Sequence, residues 1–101
     1  MARIRETARL AGVPLRFVRS VEELGRALDP RPRFALMDLT GALDHGALFT
    51  ALEAAGVPVL GYTTHAAARE TQPWHARCER VVTKETLTQD LGALLTAGIH
   101  A

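Results

Sequence analysis

The sequence predicts an α/β domain with three layers: a mainly parallel sheet of about four strands, with helices on both faces. Apolar runs with the length of strands alternate with amphipathic segments with the length of helices. The run at residues 34–40 is apolar on both faces and ends near a carboxylate, Asp38, which is typical of a buried parallel strand. The chain has 101 residues, 48% of them hydrophobic and 23% charged, so we expect a single domain over residues 1–101.

The first third of the chain is predicted to fold as helix, strand and helix. Apolar residues recur at helical spacing from Ala2 to Ala11, and Gly12 ends that helix. Residues 15–18 alternate apolar side chains with Arg, a pattern typical of an exposed edge strand. Ser20 is followed three residues later by a glutamate, a capping box that predicts a second helix over about 21–28.

The rest of the chain alternates helices with strands. Helices are predicted over about 46–55 and 85–97, each followed by Gly, and strands over 57–63 and 80–83. The Ala-rich segment 65–78 contains Pro73, so we expect a helix that stops or kinks there. Helix-length connections between strands predict parallel pairing, with the 34–40 strand at the centre of the sheet.

Composition argues against several classes of function. The net charge of +1 argues against nucleic-acid binding through phosphate contacts, although residues 1–33 carry eight Arg against four acidic residues. The single Cys78 excludes an internal disulfide, and no Cys/His cluster has metal-ligand spacing. The first five residues include two Arg and no apolar core of a signal peptide, and no run approaches the roughly 20 apolar residues of a membrane span. We therefore expect a cytoplasmic protein that binds neither nucleic acid nor membrane.

Polar residues gather where the predicted strands end. They are Asp38 and Thr40, then Thr63 and Thr64, then Thr83 and Lys84. Because open α/β sheets bind ligands at the carboxyl ends of their strands, we expect a site there. Simpler roles are also open: Asp38 could cap a loop or pair with Lys84, and Thr64 could cap the next helix. Trp74 could bind a partner at an interface or cover the core.

This set of residues resembles the receiver domains of two-component response regulators, and the resemblance covers nearly the whole chain. In that family a phosphoacceptor Asp ends a strand, a Gly follows eight positions later, and the next two strands end in Thr or Ser and in Lys. The matching residues here are Asp38, Gly46, Thr63 and Lys84. The resemblance implies a receiver-like (flavodoxin-like) fold and a phosphoryl group on Asp38 held by Thr63 and Lys84. It also implies Mg²⁺ bound by Asp38 and the Thr40 carbonyl.

The chain departs from the receiver pattern in ways that affect this chemistry. The acidic pair that ends the first strand of a receiver has no counterpart, and Ala42, Val81 and Glu85 replace the loop Pro, the aromatic switch residue and the Pro after the Lys. Without the acidic pair Mg²⁺ loses most of its charged ligands. We therefore expect a pseudo-receiver: a signalling module without enzymatic activity or a cofactor, which binds a protein partner or itself.

Two other functions stay open. One is a working receiver that is phosphorylated at Asp38, which an upstream strand ending in an acidic pair would favour. The other is an anti-sigma-factor-antagonist-like domain, suggested by the run Asp38-Leu39-Thr40-Gly41. The second fits less well, because that fold begins with strands whereas this chain begins with a helix.

The absence of the first receiver strand has a consequence for the sheet. Residues 15–18 and 34–40 either pair directly or leave backbone N–H and C=O groups unpaired, at a cost of about 1–3 kcal/mol for each buried group. We expect direct pairing through the helix at 21–28, which gives four parallel strands in one chain. The accompanying expectation is self-association through the thinned face, and the competing one is a strand donated by a second chain.

Overall fold

The sheet has three parallel strands in the order β1-β2-β3, in a computed structural model that describes residues 2–101. The strands are Ala35–Asp38 (β1), Val59–Thr63 (β2) and Arg80–Thr83 (β3). The helices are Ala2–Ala11 (α1), Val21–Ala27 (α2), His45–Ala55 (α3), Ala68–His75 (α4) and Lys84–Ala97 (α5). The α/β class and the parallel pairing are confirmed, and each predicted helix is present with its ends shifted by a few residues.

Helices cover both faces of the sheet. Leu36, Leu60 and Val82 point to one face, where they pack in a cluster with α1 and α5. Met37 and Val59 point to the other face, where they pack in a second cluster with α2 and α3. Successive residues of each strand therefore enter different apolar clusters, which is why the strands show no polar face in the sequence.

The ends of α1 and α3 share one geometry. Gly12 follows α1 with φ of 71°, and Gly56 follows α3 with φ of 70°, a left-handed conformation that glycine adopts without strain. The N–H of Val13 donates to the Ala8 carbonyl at 2.9 Å, and that of Val57 donates to the Leu52 carbonyl at 2.9 Å. These bonds close each helix and set the direction in which the chain leaves it.

The expected fourth strand is absent, so the prediction of four strands was wrong. Residues 13–19 form an irregular link between α1 and α2 and do not pair with β1. Two backbone groups explain this in part, because Pro14 has no N–H and the N–H of Val13 is already bonded to α1. As a result β1 is an edge strand rather than the central strand, and β2 lies at the centre.

The segment around Pro73 forms a short helix. α4 begins at Ala68 and ends at His75, two residues after Pro73, so the helix stops before the end of the predicted 65–78 segment. No helix among residues 2–101 combines the length and the apolar character needed to cross a membrane.

Candidate functional site

The carboxylate of Asp38 is bound by its own loop. Asp38 ends β1, and its Oδ1 accepts a hydrogen bond from the Thr40 N–H at 2.9 Å and another from the Thr40 hydroxyl at 2.6 Å. This is the Asx-turn arrangement, in which a short carboxylate substitutes for a backbone carbonyl two residues before an N–H. Of the roles considered for Asp38, the capping of a loop is the one that these contacts support.

The carbonyl of Asp38 is held by a buried histidine. His45 is 8% exposed, and its Nε2 lies 3.0 Å from the Asp38 carbonyl oxygen. Since a carbonyl only accepts, Nε2 carries the proton and donates it. His45 is the first residue of α3, where the Asp44 side chain caps the helix by accepting from the Ala47 N–H at 3.1 Å. The bond therefore fastens the start of α3 to the end of β1.

Sequence reasoning missed His45. The partner of its imidazole is a backbone carbonyl seven residues earlier, which no spacing of side chains reveals. The available signal was Asp44, an N-cap residue immediately before an apolar helical segment. That signal places His45 at the first helical position, close to the end of the preceding strand.

Lys84 does not pair with Asp38. It is exposed at the first position of α5, and the ion pairs of the described residues join other groups. β2 lies between β1 and β3, so the ends of the two strands that carry Asp38 and Lys84 are not neighbours. The Thr83 hydroxyl accepts from the Thr86 N–H at 3.2 Å and starts the helix there. Of the two simpler roles considered for Asp38, pairing with Lys84 is therefore not found among the described residues.

Thr63 points toward α4 rather than toward Asp38. Its hydroxyl lies 3.0 Å from the Thr71 hydroxyl, which in turn lies 2.9 Å from Nε2 of His75. Thr71 also donates to the Ala67 carbonyl at 3.1 Å. Every buried side-chain nitrogen or oxygen among residues 2–101 has a partner, so these hydroxyls are fully used within the protein.

Thr64 and Trp74 have structural partners. The Thr64 hydroxyl accepts from the Ala67 N–H at 3.1 Å and caps the turn that precedes α4. The ring of Trp74 stacks on Phe49, with centroids 5.8 Å apart, and contacts the His45 ring at 5.5 Å. Trp74 is partly buried against the cluster of α2 and α3, the position expected of a residue that covers the core.

Tyr62 is the side chain whose ionisation senses Asp38. The two residues are paired in the β1–β2 register. Burial, and secondarily the negative charge of Asp38, raise the pKa of Tyr62 above its ordinary 10.0. The folded protein therefore holds the phenol proton more tightly than the unfolded chain does. The corresponding stability is complete below pH 10.0 and is lost as pH rises through the higher pKa of the folded state.

Replacing Tyr62 by Phe is expected to leave the free energy of unfolding near pH 7 within about 0.5 kcal/mol of wild type. Above pH 10.0 the variant should lose less stability than wild type, because it has no phenol to ionise. Urea unfolding at both pH values measures the difference. Burial also raises the pKa of Cys78 above its ordinary 9.0, so a residual alkaline loss remains in the variant. Equal alkaline losses in the two proteins would contradict the prediction.

The described residues do not fit the Mg²⁺ shell of a receiver. Asp38 brings one carboxylate, and one of its oxygens is already bonded to Thr40. Within residues 2–101 no group of three His, Cys, Asp or Glu side chains lies close enough to share a cation. Because Mg²⁺ needs near-octahedral oxygen ligands, the side chains present leave most of the shell to water.

Two open surface depressions lie away from Asp38. Both include Pro58 and Glu79, which precede β2 and β3, so they are at the amino ends of the strands. The polar residues that follow the strands line neither of them. Comparisons of the chain with protein-family models, with curated proteins and with solved structures find no match.

Proposed function

We propose that this chain is a non-enzymatic signalling or assembly module with a receiver-like fold, which acts in the cytoplasm by binding a protein partner. The observation that carries the proposal is the state of Asp38, whose carboxylate is bound by its own loop at Thr40. These two hydrogen bonds give Asp38 a structural role, the capping of its own loop, that does not depend on phosphorylation. The three-layer packing and the order of α1 to α5 also support the likeness to receivers.

The surroundings of Asp38 support this proposal electrostatically. Phosphoryl transfer is accelerated by cations and donors aimed at the oxygens on which charge develops. Here the Thr63 hydroxyl is bonded to Thr71 of α4, and Lys84 has no ion pair with Asp38. A phosphoryl group on Asp38 would add negative charge beside Tyr62 without a paired cation.

Phosphorylation at Asp38 is the second candidate function. It draws on one observation: both short hydrogen bonds from Thr40 go to Oδ1, and Oδ2 accepts none from residues 2–101. A free carboxylate oxygen is the nucleophile that an aspartyl phosphate requires. The two candidates make opposite predictions for the response to a phosphodonor.

The test is to add acetyl phosphate, or beryllofluoride, with Mg²⁺ and to follow Trp74 fluorescence and the amide NMR spectrum. Trp74 is the only Trp, and its ring contacts His45, which is bonded to the Asp38 carbonyl. A structural change at Asp38 should therefore alter the surroundings of the Trp74 ring through His45. We expect no saturable, Mg²⁺-dependent change in wild type, and the same absence of a response in Asp38→Asn.

A saturable change in wild type that Asp38→Asn abolishes would contradict the proposal and establish the phosphoacceptor. The variant keeps a side-chain oxygen that can accept from Thr40, so the loop is retained. A change that persists in Asp38→Asn reflects ion binding elsewhere and leaves the expected result at Asp38 intact.

A further inference from the structure

The outer edge of β1 exposes backbone groups that have no partner. The N–H of Ala35 donates to the Pro58 carbonyl at 2.9 Å, and that of Leu39 donates to the Tyr62 carbonyl at 3.0 Å. In a parallel ladder alternate residues bond to the same neighbour, so Leu36 and Asp38 turn their N–H and C=O groups away from β2. His45 and Gly41 satisfy the Asp38 carbonyl. The remaining groups, both of Leu36 and the N–H of Asp38, have no hydrogen bond within residues 2–101.

The link between α1 and α2 adds a second run of free backbone. α1 lies on the face of α5 and α2 on the face of α3, so the link passes around an edge of the sheet. Leu15 packs in the cluster of α1 and α5, and Val18 packs in the cluster of α2 and α3, so the link crosses from one face of the sheet to the other before α2 leads into β1. Residues 14–19 make no backbone hydrogen bond within the described part of the chain.

We propose that the β1 edge is the docking site of this module, and that it takes an extended strand of a partner protein by β-strand addition. The inference rests on the proposed function and names the partner's chemistry: a segment of about four or five apolar residues with acidic residues at its ends. Backbone pairing requires the extended form, and the four residues of β1 set the length.

The partner's segment has to be apolar on both faces because the residues of β1 enter two different apolar clusters. Leu36 and Leu15 reach the cluster of α1 and α5, while Ala35 and Val18 reach the cluster of α2 and α3. A strand beside β1 therefore projects its side chains alternately into the two layers. The central strand β2, which reads Val59-Leu60-Gly61-Tyr62-Thr63, has this composition.

The acidic ends follow from the positive charge of α1 and of the link that precedes α2. Arg3, Arg5, Arg16 and Arg19 are exposed, and none belongs to an ion pair among the described residues. The guanidinium of Arg5 lies 4.6 Å from the centroid of the Phe17 ring, which joins the positive charge of α1 to that of the link. Acidic residues beside the apolar segment complement these cations and increase the rate of encounter.

A second copy of the chain is a poorer occupant. A second copy could offer its own β1, but both copies carry the same exposed Arg residues on α1 and the link, so the two edges do not complement each other in charge.

The test uses a synthetic peptide, EEVLVVEE, titrated into the full chain while amide exchange is followed by NMR. We expect saturable binding and protection of the Leu36 and Asp38 amides. When free peptide is about ten times the Kd, exchange at these amides should slow by about tenfold, because the free fraction falls as 1/(1 + [L]/Kd). The same result with the control peptide EEVPPVEE would overturn the proposal, because two adjacent prolines remove an N–H that faces β1 in either register.

A matched pair of variants isolates the backbone contribution. Leu36→Pro removes an N–H that points away from β2, so the β1–β2 pairing is retained, and peptide binding should be lost. Leu36→Ala removes more of the side chain than Leu36→Pro does but keeps the N–H, so binding should remain, though weaker. Equal binding by the two variants overturns strand addition. If Leu36→Pro does not fold, the comparison of the two peptides on wild type gives the same decision.

Three outcomes overturn the proposal, and the last two of them identify a different occupant of the β1 edge. The absence of saturable protection at about 1 mM peptide excludes a useful affinity. Protection that appears without peptide as the protein concentration rises identifies a second copy as the occupant. Protection only when the peptide is fused ahead of residue 1 through a Gly/Ser linker identifies a strand of the same polypeptide. None of these outcomes involves Asp38 chemistry, so the phosphodonor experiment stands independently.

Discussion

Replacing Phe49 by Ala is expected to lower the free energy of unfolding by about 3–5 kcal/mol. Phe49 has no exposed surface and lies within the cluster formed by α2, α3 and one face of the sheet. Its ring stacks on Trp74, and the guanidinium of Arg77 lies 5.0 Å from its centroid. Alanine leaves a cavity beneath Trp74 that the helices can only partly close. Since small domains are stable by about 5–15 kcal/mol, this loss is a large fraction of the total.

Urea unfolding followed by Trp74 fluorescence and by far-UV circular dichroism measures this loss. Leu10→Ala is the control, because Leu10 is 72% exposed on α1 and its truncation should change the free energy of unfolding by less than about 0.5 kcal/mol. The packing described here would be contradicted if Phe49→Ala cost no more than the control.

Replacing Gly61 by Ala is expected to cost about 1–3 kcal/mol. Gly61 is in the middle of β2, and a Cβ there would lie 2.7 Å from the Cys78 sulfur and 3.0 Å from Cδ1 of Leu39. Both neighbours are packed against the same cluster, so one of them has to move. The chain thus uses Gly61 in its central strand to let the segment after α4 approach the sheet closely.

Gly92→Ala is the matched control for this substitution. Gly92 is exposed in α5 with nothing within 4 Å of its added Cβ, so alanine should stabilise the protein by about 1 kcal/mol through helix propensity. The double variant Gly61→Ala, Cys78→Ala should recover part of the loss, because it removes the nearest atom. Additive effects of the two substitutions would show that Gly61 and Cys78 do not interact.

Local patterns were sufficient for most of the secondary structure. Ser20 caps α2 as its position before Glu23 predicts, with a bond of 3.1 Å, and Gly12 and Gly56 end α1 and α3. These features involve residues within one helical turn of each other, so helix starts and ends can be predicted from residues that are neighbours in the sequence.

Contacts between distant segments could not be predicted in this way. Residues 15–18 have the alternation of an edge strand, but whether they pair depends on where α1 and α2 place them. The bond from His45 to the Asp38 carbonyl and the chain from Thr63 through Thr71 to His75 join side chains whose spacing has no recognisable period. The position of Asp38 at the end of a strand was therefore predicted correctly, while the bond from His45 to its carbonyl was not.

Native-state hydrogen exchange of the β1 amides tests the account most directly, because the free edge underlies the binding proposal. The N–H groups of Ala35 and Leu39 are bonded to β2, whereas those of Leu36 and Asp38 point away from it. We predict that Leu36 and Asp38 exchange at least about a hundredfold faster than Ala35 and Leu39 in the protein alone. Equal protection of all four amides in a dilute monomeric sample would mean that the β1 edge is already covered, and would contradict the account.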